Sequence, residues 1–422
     1  MTKLFKKIPE ELNIYILNMR QITRRSNLSV YFVGGFVRDL ILGVKNLDLD
    51  IVVEGDGIKF ANDFAGLFMG KVTEHKNFGT ATFVLNEFLK IDFSSARREI
   101  YPKPAQLPIV SPGSLRDDLL RRDFTINAMA ISLSTSRLID YFDGVNDLRL
   151  KKIRVLHPLS FIDDPTRILR AIRFEQRYGL KIEHKTLMFL KEALDLKMLE
   201  KLHPHRLRDD LIIILKENNP DRVLKRIQKL AGFKFIHPAL KVPAKTFSLF
   251  KSIKKEINWF KAGCFERRSM DYWIIYLMAL LDSLDLNCVK KVCEKLGLRK
   301  GETKRILAYK QISKKSISDL SSSSLKPSRI FAILEPLSYE VILMLKVKYS
   351  NRNLKRHILE FLEIYNGMRV FVSGDDLHGM GLKPGPSYQK IFAQVLNAKL
   401  NSKVRTKEEE LALIKSLVKK RS

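Results

Sequence analysis

VYFVGGFVRDLILGVKNLDLDIVVEG, residues 30–55, is the stretch on which the reading of this chain turns. Its first apolar residues suit a short strand that ends at Gly34-Gly35. FVRDLILG follows as a short helix closed by Gly43, and LDLDIVVEG returns as a strand that alternates and then runs β-branched. On a strand, residues i and i+2 share a face, so Asp48 and Asp50 point the same way while Leu49 packs inward. Two adjacent carboxylates offer hard oxygen ligands of the kind Mg²⁺ takes. A lone D-x-D is most often a pair of exposed acids on an edge strand. Here GG-x-V-R-D precedes it. Two glycines let backbone N–H groups approach a polyphosphate, and Arg38 sets a fixed cation beside them. Two ions held there can activate a 3′-hydroxyl and stabilise a leaving pyrophosphate.

Three further blocks work outward from this core. Asp92, in the strand-like LKIDFSSA, is the candidate third carboxylate, with a strand-end turn acid as the equal alternative. DDLLRRDFTINAMA (117–130) carries Arg121 and Arg122 side by side, with Asp123 expected to pair with one of them and set its direction. Phe124, Ile126, Ala128 and Ala130 are expected to form the buried side of the adjoining segment. SFIDDPTRILRAIRFEQR (160–177) places Asp164 to cap a helix with Pro165 in its first turn. Arg167, Arg170 and Arg173 come after it at steps of three, on one slowly drifting stripe. The plain reading of that stripe is a solvated basic face. The sharper one is base recognition: a carboxylate accepts from the exocyclic amine of C or A, and an arginine donates to the neighbouring ring nitrogen. The keto oxygen of U or G would be repelled by the acid.

These blocks, in this order, resemble class II tRNA nucleotidyltransferases (CCA-adding enzymes) and the bacterial poly(A) polymerases related to them. GGFVRD (34–39) with LDLD (47–50) is similar to the family's first motif, RRD (121–123) to its second, and DYFDGVNDL (140–148) to its hinge. Asp163-Asp164-Pro165-Thr166-Arg167 resembles the nucleotide-selecting E-D-x-x-R, with Asp in place of the first Glu. RLRDDL (206–211) is similar to the motif that steadies the helical neck. The resemblance implies an α+β fold: a polymerase-β-type nucleotidyltransferase head of mixed sheet and helices, then an all-helical neck, body and tail. It implies metal at Asp48 and Asp50, with Mg²⁺ as the cofactor. Nucleotide contacts are implied at Gly34, Gly35, Arg38, Arg121, Arg122, Asp123, Asp164, Arg167, Arg170 and Arg173. The implied activity is transfer of CMP and AMP from CTP and ATP to the 3′ end of tRNA, gripped through acceptor stem and T-arm. ARREIYPKPAQLPIVSPGS (96–114) falls where the family has a flexible loop that helps the switch from C to A addition.

The rest of the chain is consistent with that outline. The expected domains are an N-terminal helical segment (1–29), the head (30–150), a neck (151–235) and a helical body and tail (236–422). Ile8, Leu12, Ile16 and Met19 recur at helical spacing. Helical patterns cover 165–178, 184–198, 205–217, 220–231, 269–282, 285–296, 327–348 and 353–366. SDLSSSSLKPS (318–328) and SGDDLHGMGLKPGPS (373–387) read as breaks. The 422 residues carry 76 Lys and Arg against 46 Asp and Glu, a net +30. Half of that excess lies in 291–422, which suits a long polyanion touching several domains rather than a basic arm. Cys264, Cys288 and Cys293 form neither a disulfide framework nor a zinc pattern. With no signal-like start and no long apolar run, the expected setting is the cytoplasm, with no membrane and no stable protein partner. No His-Asp dipeptide occurs, so no added phosphohydrolase activity is expected. Competing readings are CC-only or A-only addition, poly(A) synthesis on other RNAs, an RNA-binding protein without catalysis, and transfer to a small molecule. The long basic helical region argues against the last.

Overall fold

The computed structural model describes residues 4–86, 89–263 and 265–419. The chain divides into two compact units, Met1–Ile214 with Arg222–Phe235, and Leu215–Asp221 with Ile236–Ser422.

Among the described residues of the first unit, two sheets are formed by β1 (Ser29–Val33), β2 (Leu49–Glu54), β3 (Lys71–His75), β4 (Thr80–Asn86), β5 (Leu89–Ser95), β6 (Arg97–Ile100), β7 (Ile109–Pro112), β8 (Ala130–Ser132) and β9 (Leu138–Ile139). Seven of them form one mixed sheet in the order β3-β4-β5-β2-β1-β8-β9. β2 and β5 run parallel and the other neighbours run antiparallel. The helices of this unit begin with α1 (Asn13–Ser26), α2 (Gly34–Leu42), α3 (Gly57–Ala65), α4 (Leu115–Leu120) and α5 (Gly144–Arg149). The N-terminal periodicity is used as expected, since Ile8, Leu12, Ile16 and Met19 are all buried.

Pleating separates the two faces of the sheet. Ile51, Phe83, Ile91 and Phe93 are buried on the side where α3 packs, with Phe64 stacked edge-on against Phe83 at 5.1 Å and tilted against Phe93 at 5.6 Å. Truncating such a ring to alanine costs about 3–5 kcal/mol. α3 can approach this closely because it starts at Gly57: a Cβ there would sit 2.6 Å from the backbone of Ser94 and Ser95. On the opposite face, Leu115 and Leu119 of α4 join Val33, Val52, Ala128 and Ala130 in a second apolar cluster. A capping box between Ser114 and Asp117 starts α4. The helix therefore ends with Arg121 and Arg122 beside the open part of the polar face. The segment 124–131 is buried throughout, not on alternate residues, because a 3-10 turn at Thr125–Asn127 interrupts the strand-like pattern.

The same unit continues through α6 (Ser160–Asp163), α7 (Thr166–Tyr178), α8 (His184–Asp195), α9 (Pro204–Leu215), whose last residue belongs to the second unit, and α10 (Pro220–Leu230), which begins in the second unit. A two-residue parallel pair, β10 (Lys152–Ile153) with β11 (Lys181–Ile182), departs from the expectation of an all-helical neck.

The second unit is helical, from Ala244–Ala262 to Lys407–Lys419. Its centre is Tyr272–Leu280 and Tyr339–Lys348; Trp273 to Leu280 and Tyr339 to Leu345 are buried on every side. Buried Glu340 is neutralised by Arg305 at 2.5 Å. The expected helix over 327–348 is two helices, Pro327–Leu334 and Tyr339–Lys348, because Pro336 cannot continue the hydrogen-bond ladder. The 353–366 pattern ends in a π turn at Phe361–Tyr365. Among the described residues no helix is long and apolar enough to cross a membrane. Cys288 and Cys293 are free thiols, and Cys264 lies outside the described residues.

Candidate functional site

β1, α2 and β2 place the first group. α2 begins at Gly34, whose φ of +68° is left-handed; an added Cβ would stand 2.7 Å from an Arg122 guanidinium nitrogen and 3.2 Å from the Asp50 carboxylate. Arg38, one turn on, is buried and fully engaged. It donates to Asp39, Asn127 and Tyr178, and lies 4.4 Å from the centre of the Tyr178 ring. Asp39 also accepts from Asn46, and Asn46 accepts the Asp48 N–H, each at 2.9 Å. A polar chain thus runs from the helix to the first carboxylate and fixes the loop that carries it.

Asp50 stands on β2 directly opposite Asp92 on β5. Burial pushes the Asp50 carboxyl up, and the charges of Asp92 and Asp48 push the same way, against Arg122 and Lys90. Asp92 accepts from Thr82 Oγ1 and from Lys90 Nζ, both at 2.6 Å; the lysine is half exposed. Asp48 and Asp92 stand near enough to oppose the ionisation of Asp50, and their oxygens are of the hard kind a divalent cation takes, although among the described residues no group of three such side chains is arranged to hold one.

The arginine pair is held differently from the expectation. Asp123 does not orient either of its neighbours. It takes Arg170 of α7 at 2.5 Å and Asn127 at 2.9 Å. Arg121 and Arg122 are both held by Asp118, at 2.7 and 2.9 Å. The reason is helical spacing: Asp118 lies one turn before both arginines, on their side of α4. Burial opposes the charge on Asp118, yet Arg122 and Arg121 keep its carboxyl below the usual range. Arg121 also reaches Glu99 of β6 at 3.1 Å, and Glu99 is gripped by Arg97 and Tyr101 as well. The 96–114 segment is therefore an antiparallel hairpin of β6 and β7 tied to the site through Glu99.

α7 supplies the last group. Asp164 accepts from the Thr166 N–H at 3.1 Å, which steadies the first turn, although Pro165 occupies the cap position. Its carboxylate is 2.8 Å from Arg206 of α9 but 4.0 Å from Arg167, the partner expected from spacing. Arg167 instead donates to Ser160 and to the Arg121 carbonyl. Arg173 is buried and Arg170 is partly exposed, so the basic stripe is no solvated face.

All thirteen residues singled out from sequence, from Gly34 and Gly35 to Arg170 and Arg173, line one cavity of about 1010 Å³. Sequence reasoning did not single out Arg206 and Asp210, which line it too, nor Asn127, Tyr178 and Glu99. Arg206 and Asp210 stand four apart inside RLRDDL, and that spacing on one helix face was the available signal. Burial pushes the Asp210 carboxyl up to about 6. Arg122 Nε and one terminal nitrogen of Arg206 are buried with no hydrogen-bond partner, the mark of a cavity shaped for an anionic ligand.

A cavity walled by arginines, with paired carboxylates on a mixed sheet, defines a nucleotidyltransferase head of the polymerase-β type. Residues 30–154 match the family described as Poly A polymerase head domain. The chain is 36% identical, over 97% of its length, to the A-adding tRNA nucleotidyltransferase of Geobacter sulfurreducens. It is similar to the solved apo form of a CCA-adding enzyme at a TM-score of 0.78 and 34% identity, covering 98% of this chain and 97% of that one. The Thermotoga maritima CCA-adding enzyme complexed with tRNA aligns at a TM-score of 0.72 and 32% identity over 98% of this chain and 97% of that one. Similar structures also include CCA-adding enzyme complexes with ATP and with CTP, at 33% and 32% identity. The chain belongs to the tRNA nucleotidyltransferase family that contains the CCA-adding enzymes. Nucleotidyltransferases of this kind are in general metal-dependent. The chain spans about half the length of the curated relatives it matches first, 47% of the Geobacter protein.

Proposed function

We propose that this chain adds CMP and AMP, from CTP and ATP, to the 3′ end of tRNA in the cytoplasm. The observation that carries this is the single cavity in which Asp48, Asp50 and Asp92 face an arginine wall and the Asp164 group. Asp48 and Asp50, with Asp92 beside them, would hold Mg²⁺. When bound, the metal neutralises phosphate charge and lowers the pKa of a coordinated hydroxyl. Arg122, oriented by Asp118, and Arg170, oriented by Asp123, take the triphosphate oxygens. Gly34 keeps the approach to Asp50 clear. The acceptor's 3′-oxygen bonds to the α-phosphorus, the bond from that phosphorus to the bridging oxygen breaks, and pyrophosphate leaves. Asp92, on the neighbouring strand, would take the hydroxyl proton. Asp164 and Arg167 read the amine-bearing edge of the base, with Arg206 steadying the acid. Residues 151–235 act as the neck that selects the nucleotide, and 236–422 as the body and tail that hold the tRNA.

A-only addition is a second reading, favoured by the A-adding relative matched over 97% of this chain. The test uses purified protein and tRNA transcripts ending at the discriminator base, at C and at CC, with each NTP alone and a sequencing-gel readout. Extension of all three transcripts in the order C, C, A supports full CCA addition. AMP added only to the CC end supports the second reading, and long A tracts on unrelated RNA would overturn both.

A further inference from the structure

Nucleotidyl transfer brings two substrates to one set of carboxylates, and two cavities meet at Asp50 and Asp92. The larger is the arginine-walled one. The smaller, about 290 Å³, shares Asp50, Asp92, Arg121 and Arg122 with it and extends over β4 and β5. Its chemistry is different. Apart from the shared residues, its polar side chains are the hydroxyls of Thr80, Thr82 and Ser94. Its two arginines are the shared pair, and both are already tied to buried Asp118. What this cavity adds to the shared carboxylates and arginines is three hydroxyls, and a ligand rich in hydroxyls fits them.

We propose that this smaller cavity receives the 3′-terminal nucleoside of the RNA acceptor, with Thr80, Thr82 and Ser94 holding its ribose. The inference rests on the nucleotide-transfer reading above and adds where the acceptor end sits. Strand register builds the subsite. Asp50 pairs with Asp92, Asp92 with Thr82, and Ser94 with Thr80, so a row of hydroxyls runs along one face up to the carboxylates. Their hydrogens are partly spoken for. Thr82 Oγ1 donates to Asp92 at 2.6 Å, and Ser94 Oγ donates to the Ile51 carbonyl at 3.3 Å. Both oxygens then present lone pairs, so the complementary ligand is a donor. A ribose 2′-hydroxyl is one; a phosphate oxygen, which only accepts, is not. The 2′-hydroxyl is also what separates an RNA end from a DNA end. Because the Thr82 hydroxyl grips Asp92, a ribose bonded to it lies next to the carboxylate that faces its own 3′-oxygen.

The experiment compares two acceptors, identical except for ribose or 2′-deoxyribose at the last position, with the full chain. The proteins are wild type, Thr82→Val, and the double variant Thr80→Val with Ser94→Ala. Valine keeps the β-branched shape, so the strands keep their packing. Wild type should prefer the ribose end in kcat/KM by about tenfold, the worth of one hydrogen bond. Both variants should bring that ratio close to one and raise KM for the acceptor, with KM for the NTP unchanged. Anisotropy of each labelled acceptor, without NTP, gives the ratio of affinities independently. Equal use of the two ends by wild type overturns the subsite, as does a wild-type ratio in the variants. A rise in KM for the NTP alone would assign the cavity to the nucleotide instead. Loss of transfer with a retained ribose preference in binding, abolished in the variants, would sink the transfer reading and keep the subsite.

Discussion

Asp210 is a charge kept in the cavity wall against its own solvation. Its carboxyl is pushed to about 6 by burial, with Asp164 adding to the effect and Arg170 and Arg173 opposing it. An unfolded chain titrates this group near 3.8, so between that pH and about 6 the folded state binds more protons. Stability therefore falls as pH rises through that window, and the deficit is complete above it. Asp210→Asn should raise the Tm above wild type at neutral pH, with the gap closing toward pH 4. A gap independent of pH would show that packing, not ionisation, sets it. Asp48→Ala or Asp50→Ala should abolish transfer while tRNA still binds in a gel-shift assay. Wild-type turnover in either variant would remove the metal assignment. Arg206→Ala frees the Asp164 carboxylate, and Arg167→Ala removes a donor to the base. Each loss of a charge-assisted hydrogen bond is worth about 1.5–3 kcal/mol, so kcat/KM for CTP and ATP should drop on the order of tenfold to a hundredfold. Discrimination against UTP and GTP should weaken in the same variants; unchanged NTP preference in folded protein would leave both arginines structural. Asp50 was legible from the alternation of its strand, whereas Asp48, expected on the same strand, precedes it: β2 begins at Leu49 and Asn46 holds Asp48 in the loop before it. The partners of Asp123 and Asp164 were not legible, since Arg170 and Arg206 lie more than forty residues away in sequence and only packing chooses between neighbours.

The hairpin of β6 and β7 is the element whose form the sequence left open. Its prolines and charges read as a loop, whereas the chain pairs Arg97 to Ile100 with Ile109 to Pro112. Glu99 decides the docking, with Arg97, Arg121 and Tyr101 around it. Glu99→Ala should release β6 from the site and leave Arg121 with Asp118 alone. Faster amide exchange confined to residues 97–112 is the expected signature. AMP addition should slow more than CMP addition if this segment serves the switch that the family resemblance implies; equal slowing of both would restrict Glu99 to holding the hairpin. Elsewhere the helical patterns marked most elements within a few residues. Ala244–Ala262 was not among them, although Phe247, Phe250, Ile253, Ile257 and Phe260 are buried at steps of three and four. Eight consecutive buried residues in Tyr272–Leu280 show the opposite limit: a helix buried all round has no stripe to read, only length.

At the scale of the molecule the net +30 is the property most open to measurement. An RNA held mainly through its phosphates releases counterions on binding, so log affinity should fall linearly with log salt, by roughly 0.9 per phosphate on duplex. A flat response between low and moderate salt would contradict a backbone-driven grip. Composition made this expectation available, since charge is additive over the chain; which residues meet the RNA depends on surface shape and was not legible. The cavity wall has one more consequence. Gly34 and Asp50 come early in the chain, Arg122 in its middle, and Arg170, Arg206 and Asp210 much later, yet all belong to the same enclosure. A ribosome that has made only the first 150 residues has produced the carboxylates without the cation that neutralises Asp123. If the wall has the role proposed for it, a nascent head of that length would be chemically silent, and competence would arrive late, when α7 and α9 have emerged.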